Sequence, residues 1–252
     1  MTDKTPPDVA RTSLRALDVL QAFRDTGRPL ALSELARRTD IPVSTCHGLL
    51  KRLAEEGWIF HVTAREFYPT RRLWTLAEEL RRQDPILQPI EPALRALRDE
   101  VGETLVVGLR EGDLVRLLMV LEARHEIRYT ALVGTVRPIH AGSMGKVYLA
   151  ALPAAEFAAW MSGRTLQGYT ARTLVTEAAL REDLDDGLLR GYQRVLGEYN
   201  ADGMALAVPL KLGEVRLAVA VAGPAARMLP IEALLAHRLT RGVRQLQHSL
   251  EA

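Results

Sequence analysis

The feature that most constrains this chain is a three-residue interruption, Asp40-Ile41-Pro42, between two short amphipathic segments. Proline cannot continue a helix and pushes the residue before it out of helical backbone, so one helix must stop near Thr39 and another start near Val43. In the first of these, Ser33 reads as an N-cap and Glu34 lies favourably against the helix dipole. In the second, Cys46, Leu49, Leu50 and Leu53 follow i, i+3, i+4, i+7 and so bury one stripe, until Gly57 ends the helix. Upstream, Leu14, Leu17, Leu20 and Phe23 recur every three residues in a helix from Ser13 that Gly27 and Pro29 terminate, and Leu30 and Leu32 read as a short extended stretch. Downstream, residues 58–61 and 66–69 read as two strands around a polar turn. This order describes a winged helix-turn-helix over residues 11–72, preceded by a flexible extension, residues 1–10, with Pro6 and Pro7 adjacent.

A length of 252 residues leaves room for a second domain. Leu73, Leu76 and Leu80 continue a helix over a linker, residues 73–85, and three prolines (Pro85, Pro89 and Pro92) follow. A further helix carrying Leu94, Leu97 and Val101 stops at Gly102. Strand-like runs then cover residues 103–110 and 114–121 around the turn Glu111-Gly112-Asp113, with more at 127–130, 192–196, 204–210 and 215–221. Helical patterns cover 143–151, 154–161, 177–189 and 231–250. The second domain, residues 86–252, is therefore expected to be α+β.

Charge and cysteine usage exclude several functions. There are 33 basic and 31 acidic residues, a net of +2, too little to bind nucleic acid or membrane by bulk electrostatics. One cysteine excludes a disulfide framework, and with no signal peptide legible it points to the cytoplasm. Cys46 itself reads as a small buried hydrophobe. No apolar run approaches the ~20 residues needed to span a bilayer. His47, His61, His125, His140, His237 and His248 show no metal-ligand spacing, so neither metal nor cofactor is expected. The acidic run Glu182, Asp183, Asp185 and Asp186 reads as a solvated helix face.

The positive charge is local. Residues 11–72 hold eleven Lys or Arg against seven acids, a net of +4, which leaves −2 for the rest. Opposite the apolar stripe of the helix after the break stand Ser44, Thr45, His47, Gly48, Lys51 and Arg52. Short hydroxyls and an imidazole at a helix N-terminus reach base edges, while Lys51 and Arg52 suit phosphates. Arg65, in the hairpin turn, is placed like a wing residue that follows the backbone or minor groove. Ser33 completes the expected DNA-facing set.

The same elements resemble a known family. Ser13-Leu14-Arg15-Ala16-Leu17, Leu32-Ser33-Glu34-Leu35-Ala36, Ser44-Thr45-Cys46-His47 and Leu49-Leu50 look like the N-terminal domain of IclR-type bacterial transcriptional regulators. Gly102-Glu103-Thr104, Arg137-Pro138-Ile139-His140-Ala141, Gly145-Lys146, Glu198 with Gly203, Pro209, and Gly223-Pro224 match its C-terminal half. The resemblance implies a GAF-like effector-binding domain, a double-stranded DNA operator, and homodimers formed through the N-terminal and linker helices, often paired as dimers of dimers. Family members often carry arginine where this chain has Gly48, so the operator sequence does not transfer.

Within the second domain, small residues open a helix after a proline turn, and its unpaired N–H groups suit an anion. Ala141, Gly142, Ser143 and Met144, with His140 beside them, are thus candidates to hold a ligand carboxylate, Ser143 also by its hydroxyl. The alternative is that small residues merely permit close helix–sheet packing. The resemblance adds Leu196, Leu206, Ala220 and Ala222, at positions where relatives binding small polar acids place acidic, cysteine or serine side chains. Because all four are apolar here, the expected effector is a small organic acid with an aromatic or hydrophobic body, and Tyr129 is a candidate to stack on it. Residues 141–145 approach a nucleophile elbow, but His140 is too near in sequence to serve and no strand is seen leading in. Gly145-Lys146 lacks the rest of a phosphate-binding loop. The expected function is a ligand-responsive transcriptional regulator and not an enzyme. The competing readings are a small-molecule-binding or hydrolytic α+β domain whose winged helix makes protein contacts, and a constitutive repressor with a vestigial pocket.

Overall fold

The computed structural model describes residues 9–251, so most of the extension read at residues 1–10 lies outside the described residues. The chain divides into two compact units, one up to Asp84 and one from Pro85 onward.

The first unit runs α1 (Val9–Thr26), β1 (Leu30–Ala31), α2 (Leu32–Thr39), α3 (Val43–Glu55), β2 (Ile59–His61), β3 (Glu66–Pro69) and α4 (Arg71–Arg82), with the strands ordered β1-β3-β2. At the break Asp40 adopts left-handed backbone, φ 53°, and its N–H donates to the Ala36 carbonyl. The Ile41 N–H donates to the same carbonyl at 3.1 Å, so α2 closes before Pro42 starts α3. Cys46 and Leu50 of α3 are fully buried with Leu35, Leu30, Ile59 and Val19. Burial also pushes the Cys46 thiol pKa up.

Two expectations need correction. Ser33 is not the N-cap of α2. Ala31 holds that position, with no side-chain cap bond, because Leu32 is already helical. And α1 starts at Val9, packing Val19, Ala22 and Phe23 inward while Leu14 and Leu17 stay more than half exposed. The helix carries two apolar edges, and periodicity alone does not say which one meets the core.

The second unit runs α5 (Glu91–Val101), β4 (Thr104–Glu111), β5 (Leu114–Leu121), β6 (Val136–Pro138), α6 (Ser143–Ala150), α7 (Ala154–Met161), α8 (Glu177–Arg190), β7 (Gln193–Leu196), β8 (Gly203–Leu212), β9 (Val215–Pro224), α9 (Ala225–Met228), a 3-10 turn (Leu229–Ile231) and α10 (Glu232–Glu251). The strands form one antiparallel sheet, β6-β5-β4-β9-β8-β7. The stretch 127–130 is not a strand. Ile127 is exposed there, and the Tyr129 carbonyl accepts from the Thr104 hydroxyl at 2.7 Å. The edge strand is β6 instead, where Pro138 does no harm because an edge needs no second ladder bond.

The two faces of this sheet are chemically different. Toward α5 and α10 it presents Leu105, Val107, Leu206, Val208, Leu217, Val219 and Val221. Toward α6, α7 and α8, strands β8 and β9 present Ala207, Ala218 and Ala220. Small side chains let α6 approach closely. Gly145 packs so tightly that a Cβ there would stand 1.9 Å from the Ile139 carbonyl oxygen. A bulge assists: Val107 pairs with Met119 and Gly108 with Leu117, so Leu118 is skipped and Leu117 and Val115 turn to the α6 side.

Lys146 of α6 has no solvent exposure. Its Nζ donates to Asp183 Oδ2 at 2.7 Å, Glu198 Oε1 at 2.6 Å and the Arg194 carbonyl at 3.3 Å. Asp183 therefore departs from the solvated face expected of its run, whereas Glu182, Asp185 and Asp186 are exposed. Desolvation raises the Glu198 pKa above its ordinary 4.5, with Lys146 pulling the other way. Lys146→Met leaves two carboxylates facing each other without their cation, and is expected to lose about 3–5 kcal/mol at neutral pH. Without the cation the Glu198 carboxyl pKa rises further, so the folded state takes up a proton and the deficit shrinks as pH falls through it. Urea denaturation across a pH series reads both effects. A deficit that does not change with pH contradicts the assignment.

Candidate DNA-contacting face and effector pocket

On α3 the side opposite Cys46 and Leu50 carries Ser44, Thr45, His47, Gly48, Lys51 and Arg52, and all six are exposed. They are brought together by helical periodicity alone. Lys51 and Arg52 both lean on Glu55, at 3.9 and 3.4 Å, loose surface pairs that yield readily to a stronger anion. Nothing lies within 4 Å of where a Gly48 Cβ would stand, so the glycine leaves a flat, open patch in mid-helix. Arg65 is exposed in the β2–β3 turn, its amide donating to Thr63 Oγ1 at 3.3 Å. Ser33 is exposed in the first turn of α2. Hydrogen bonds from Arg38 and then Arg28 hold the Glu34 carboxyl below its ordinary pKa.

In the second unit a cavity of about 680 Å3, open solvent at its mouth included, lies between the alanine side of the sheet and the start of α6. Of the expected residues, Tyr129, Ala141, Gly142, Ser143, Met144, Ala220 and Ala222 line it. Gly142 is extended (φ −124°, ψ 140°) and caps α6 with no side-chain bond, so the first amides of the helix have no intrahelical acceptor.

His140, Leu196 and Leu206 do not line the cavity. The His140 ring nitrogen Nε2 lies 2.9 Å from the Gln167 carbonyl, and the ring is buried beside Tyr169. Leu206 pairs with Val221 and packs into the α5/α10 core, with Leu196 against the same core. Side chains alternate along a strand, so an error of one position moves a residue to the opposite face. The pocket residues are their neighbours, Ala205, which pairs with Ala222, and Val195.

Arg137, Tyr199 and Asn200 also line the cavity and were not expected from the sequence. Arg137 Nη2 donates to the Tyr129 hydroxyl at 3.3 Å, and its guanidinium carbon lies 5.0 Å from the Tyr199 ring centroid. Arg137 lies four residues before the candidate carboxylate-binding segment 141–144, within the Arg137-Pro138-Ile139-His140-Ala141 motif, but was not among the candidate ligand contacts. Tyr199 and Asn200 sit in a turn that carries no pattern.

The profile of the bacterial transcriptional regulator IclR C-terminal domain matches residues 79–248, and that of the IclR helix-turn-helix domain matches residues 14–61. The chain belongs to the IclR family. The HTH-type transcriptional regulator BhcR of Paracoccus denitrificans is 30% identical over 85% of this chain and 77% of its own length. The transcriptional repressor IclR of Escherichia coli is 27% identical over 85% of this chain and 80% of its own. An IclR homolog from Microbacterium hydrocarbonoxydans, solved in complex with 4-hydroxybenzoate, has the same fold: TM-score 0.70 at 23% identity, covering 93% of this chain and 99% of that one. The protein is thus an IclR-family transcriptional regulator, with a DNA-binding helix-turn-helix and a C-terminal effector domain.

The two strand faces give a direct check. Leu206→Ala empties a core position and is expected to cost about 2–5 kcal/mol in urea denaturation. Ala205→Leu projects into the cavity, which has room for part of the added side chain, and is expected to cost less than Leu206→Ala. Equal losses would contradict the division of the sheet into a core face and a pocket face.

Proposed function

We propose that this regulator reads a roughly palindromic operator through α3 and senses an aromatic or otherwise hydrophobic carboxylate in the cavity beside α6. Ser44, Thr45 and His47 contact base edges, Gly48 permits close approach, and Lys51, Arg52 and Ser33 contact phosphates, with Arg65 tracking the backbone as a wing residue. The amides of residues 141–144 and the Ser143 hydroxyl hold the effector carboxylate, and Tyr129 flanks its body. Residues 11–72 form the DNA-binding domain, 73–85 the linker helix and 86–252 a GAF-like effector domain. The protein works in the cytoplasm.

The observation that carries the effector class is the composition of the cavity wall. Val106, Val115, Leu117, Ala205, Ala220 and Ala222 line it, and no Asp or Glu does so among the described residues. Such walls desolvate a small hydrated acid without compensation but accept an apolar body. The 4-hydroxybenzoate bound by the Microbacterium homolog supports the same class. Leu14, Leu17, Trp74 and Leu80 are exposed apolar side chains on α1 and α4, which supports dimerisation through those helices, with dimers pairing further as a dimer of dimers. Effector binding acts only by favouring one arrangement of the paired DNA-binding domains, and the segment holding Pro85, Pro89 and Pro92 is the transmitting element.

The double variant Thr45→Ala, His47→Ala is expected to lose its operator footprint while keeping the thermal shift that the effector produces in the unaltered protein. A normal footprint overturns the assignment of α3. In calorimetric titration, benzoate-type acids are expected to bind at least about tenfold more tightly than glyoxylate or pyruvate, a gap of ~1.4 kcal/mol or more. The reverse order overturns the effector class.

A further inference from the structure

The cavity holds a positive charge that no carboxylate balances among the described residues. Arg137, on β6, donates from Nη1 to the Val136 carbonyl at 3.1 Å and from Nη2 to the Tyr129 hydroxyl at 3.3 Å. Its Nε is buried with no hydrogen-bond partner, and the guanidinium forms no ion pair among the described residues. Three other cations of the same unit are paired: the fully buried Lys146 with Asp183 and Glu198, and the partly buried Arg194 with Glu232 and Arg227 with Glu103. Arg137 shares the cavity lining with the apolar side chains of Val106, Leu117 and Ala220. For a half-buried guanidinium with its Nε shielded from water, a counter-ion is a better match than an apolar wall.

We infer that Arg137 is the residue by which this protein recognises the charge of its effector: the ligand carboxylate supplies the missing anion, and Arg137 rejects uncharged analogues of the same shape. This rests on the proposed function, which sets the acid in this cavity, and adds the side chain that makes the acid obligatory. The guanidinium fork matches a carboxylate in two parallel hydrogen bonds, a geometry that an ammonium lacks. The neighbouring rings favour a flat ligand. The Tyr129 hydroxyl steadies one arm of the fork, and the Tyr199 ring, 5.0 Å from the guanidinium carbon, leaves an aromatic face beside it.

The test is calorimetric titration of the full-length protein with 4-hydroxybenzoate and with its uncharged isostere 4-hydroxybenzamide, using the unaltered chain, Arg137→Met and Arg137→Lys. The unaltered protein is expected to prefer the acid by at least about 30-fold, the range set by removing one partner from a desolvated charge pair. Arg137→Met is expected to lose that preference through weaker acid binding, with amide affinity within about threefold of the original, and Arg137→Lys to restore only part of it. An unchanged operator footprint and thermal midpoint show that each variant is folded. If Arg137→Met keeps the full preference for the acid, the role of Arg137 is overturned while the carboxylate site stands. If the unaltered protein binds glyoxylate tightly and neither aromatic compound, the effector class falls and this inference with it.

Discussion

A lysine ammonium withdrawn wholly from water is tolerable only where fixed anions meet it. At Lys146 those anions come from two places far apart in the chain, Asp183 of α8 and Glu198 after β7. One side chain thus ties α6, α8 and the β7–β8 turn together. Gly145, next to it, lets α6 settle against the Ile139 backbone, and the alanines of β8 and β9 leave room between helix and sheet. The Tyr148 hydroxyl secures the same helix two residues on, its single proton shared between the Gly108 and Arg216 carbonyls at 2.9 and 3.0 Å; burial pushes its pKa up to about 12. The cavity and its amide-bearing rim follow from how this helix is held.

The first unit was legible because its signals are local. A proline break, a run at i, i+3, i+4, i+7 and a polar hairpin turn each act within a few residues, and α2, α3, β2 and β3 appear close to where those signals put them. Cys46 and Leu50 point inward and His47 and Arg52 outward because a helix allows no other assortment once one stripe is buried. Where the local signal was ambiguous, tertiary packing decided. In α1 the core took Val19 and Phe23 and left Leu14 and Leu17 outside.

The pocket was legible in part, and its errors are geometric. Residues 141–144 announce themselves through small side chains ahead of a helix. Leu196 and Leu206 were each wrong by a single position, because in a strand buried on both faces an apolar run does not reveal which parity faces which layer. The alanine stripe 205, 207, 218, 220, 222 does hold that information, but only once β8 and β9 are known to pair in the register that sets Ala205 opposite Ala222 and Ala207 opposite Ala220. Tyr129 was rightly placed at the cavity on a segment wrongly read as a strand, and Arg137 was passed over because nothing in its neighbourhood shows that it has no acidic partner. Such a vacancy is a property of three dimensions, as is the inward turn of Asp183.

In the proposed function the exposed, cationic face of α3 reads DNA and the cavity beside α6 takes an organic anion, and the first of these is open to direct measurement. The most direct measurement is a titration of the intact protein against a labelled duplex from its own upstream region, repeated across a salt series. The account predicts specific binding that weakens steeply with salt, with a log–log slope near one for each phosphate neutralised. Binding no tighter than to an unrelated duplex at every salt concentration would contradict it.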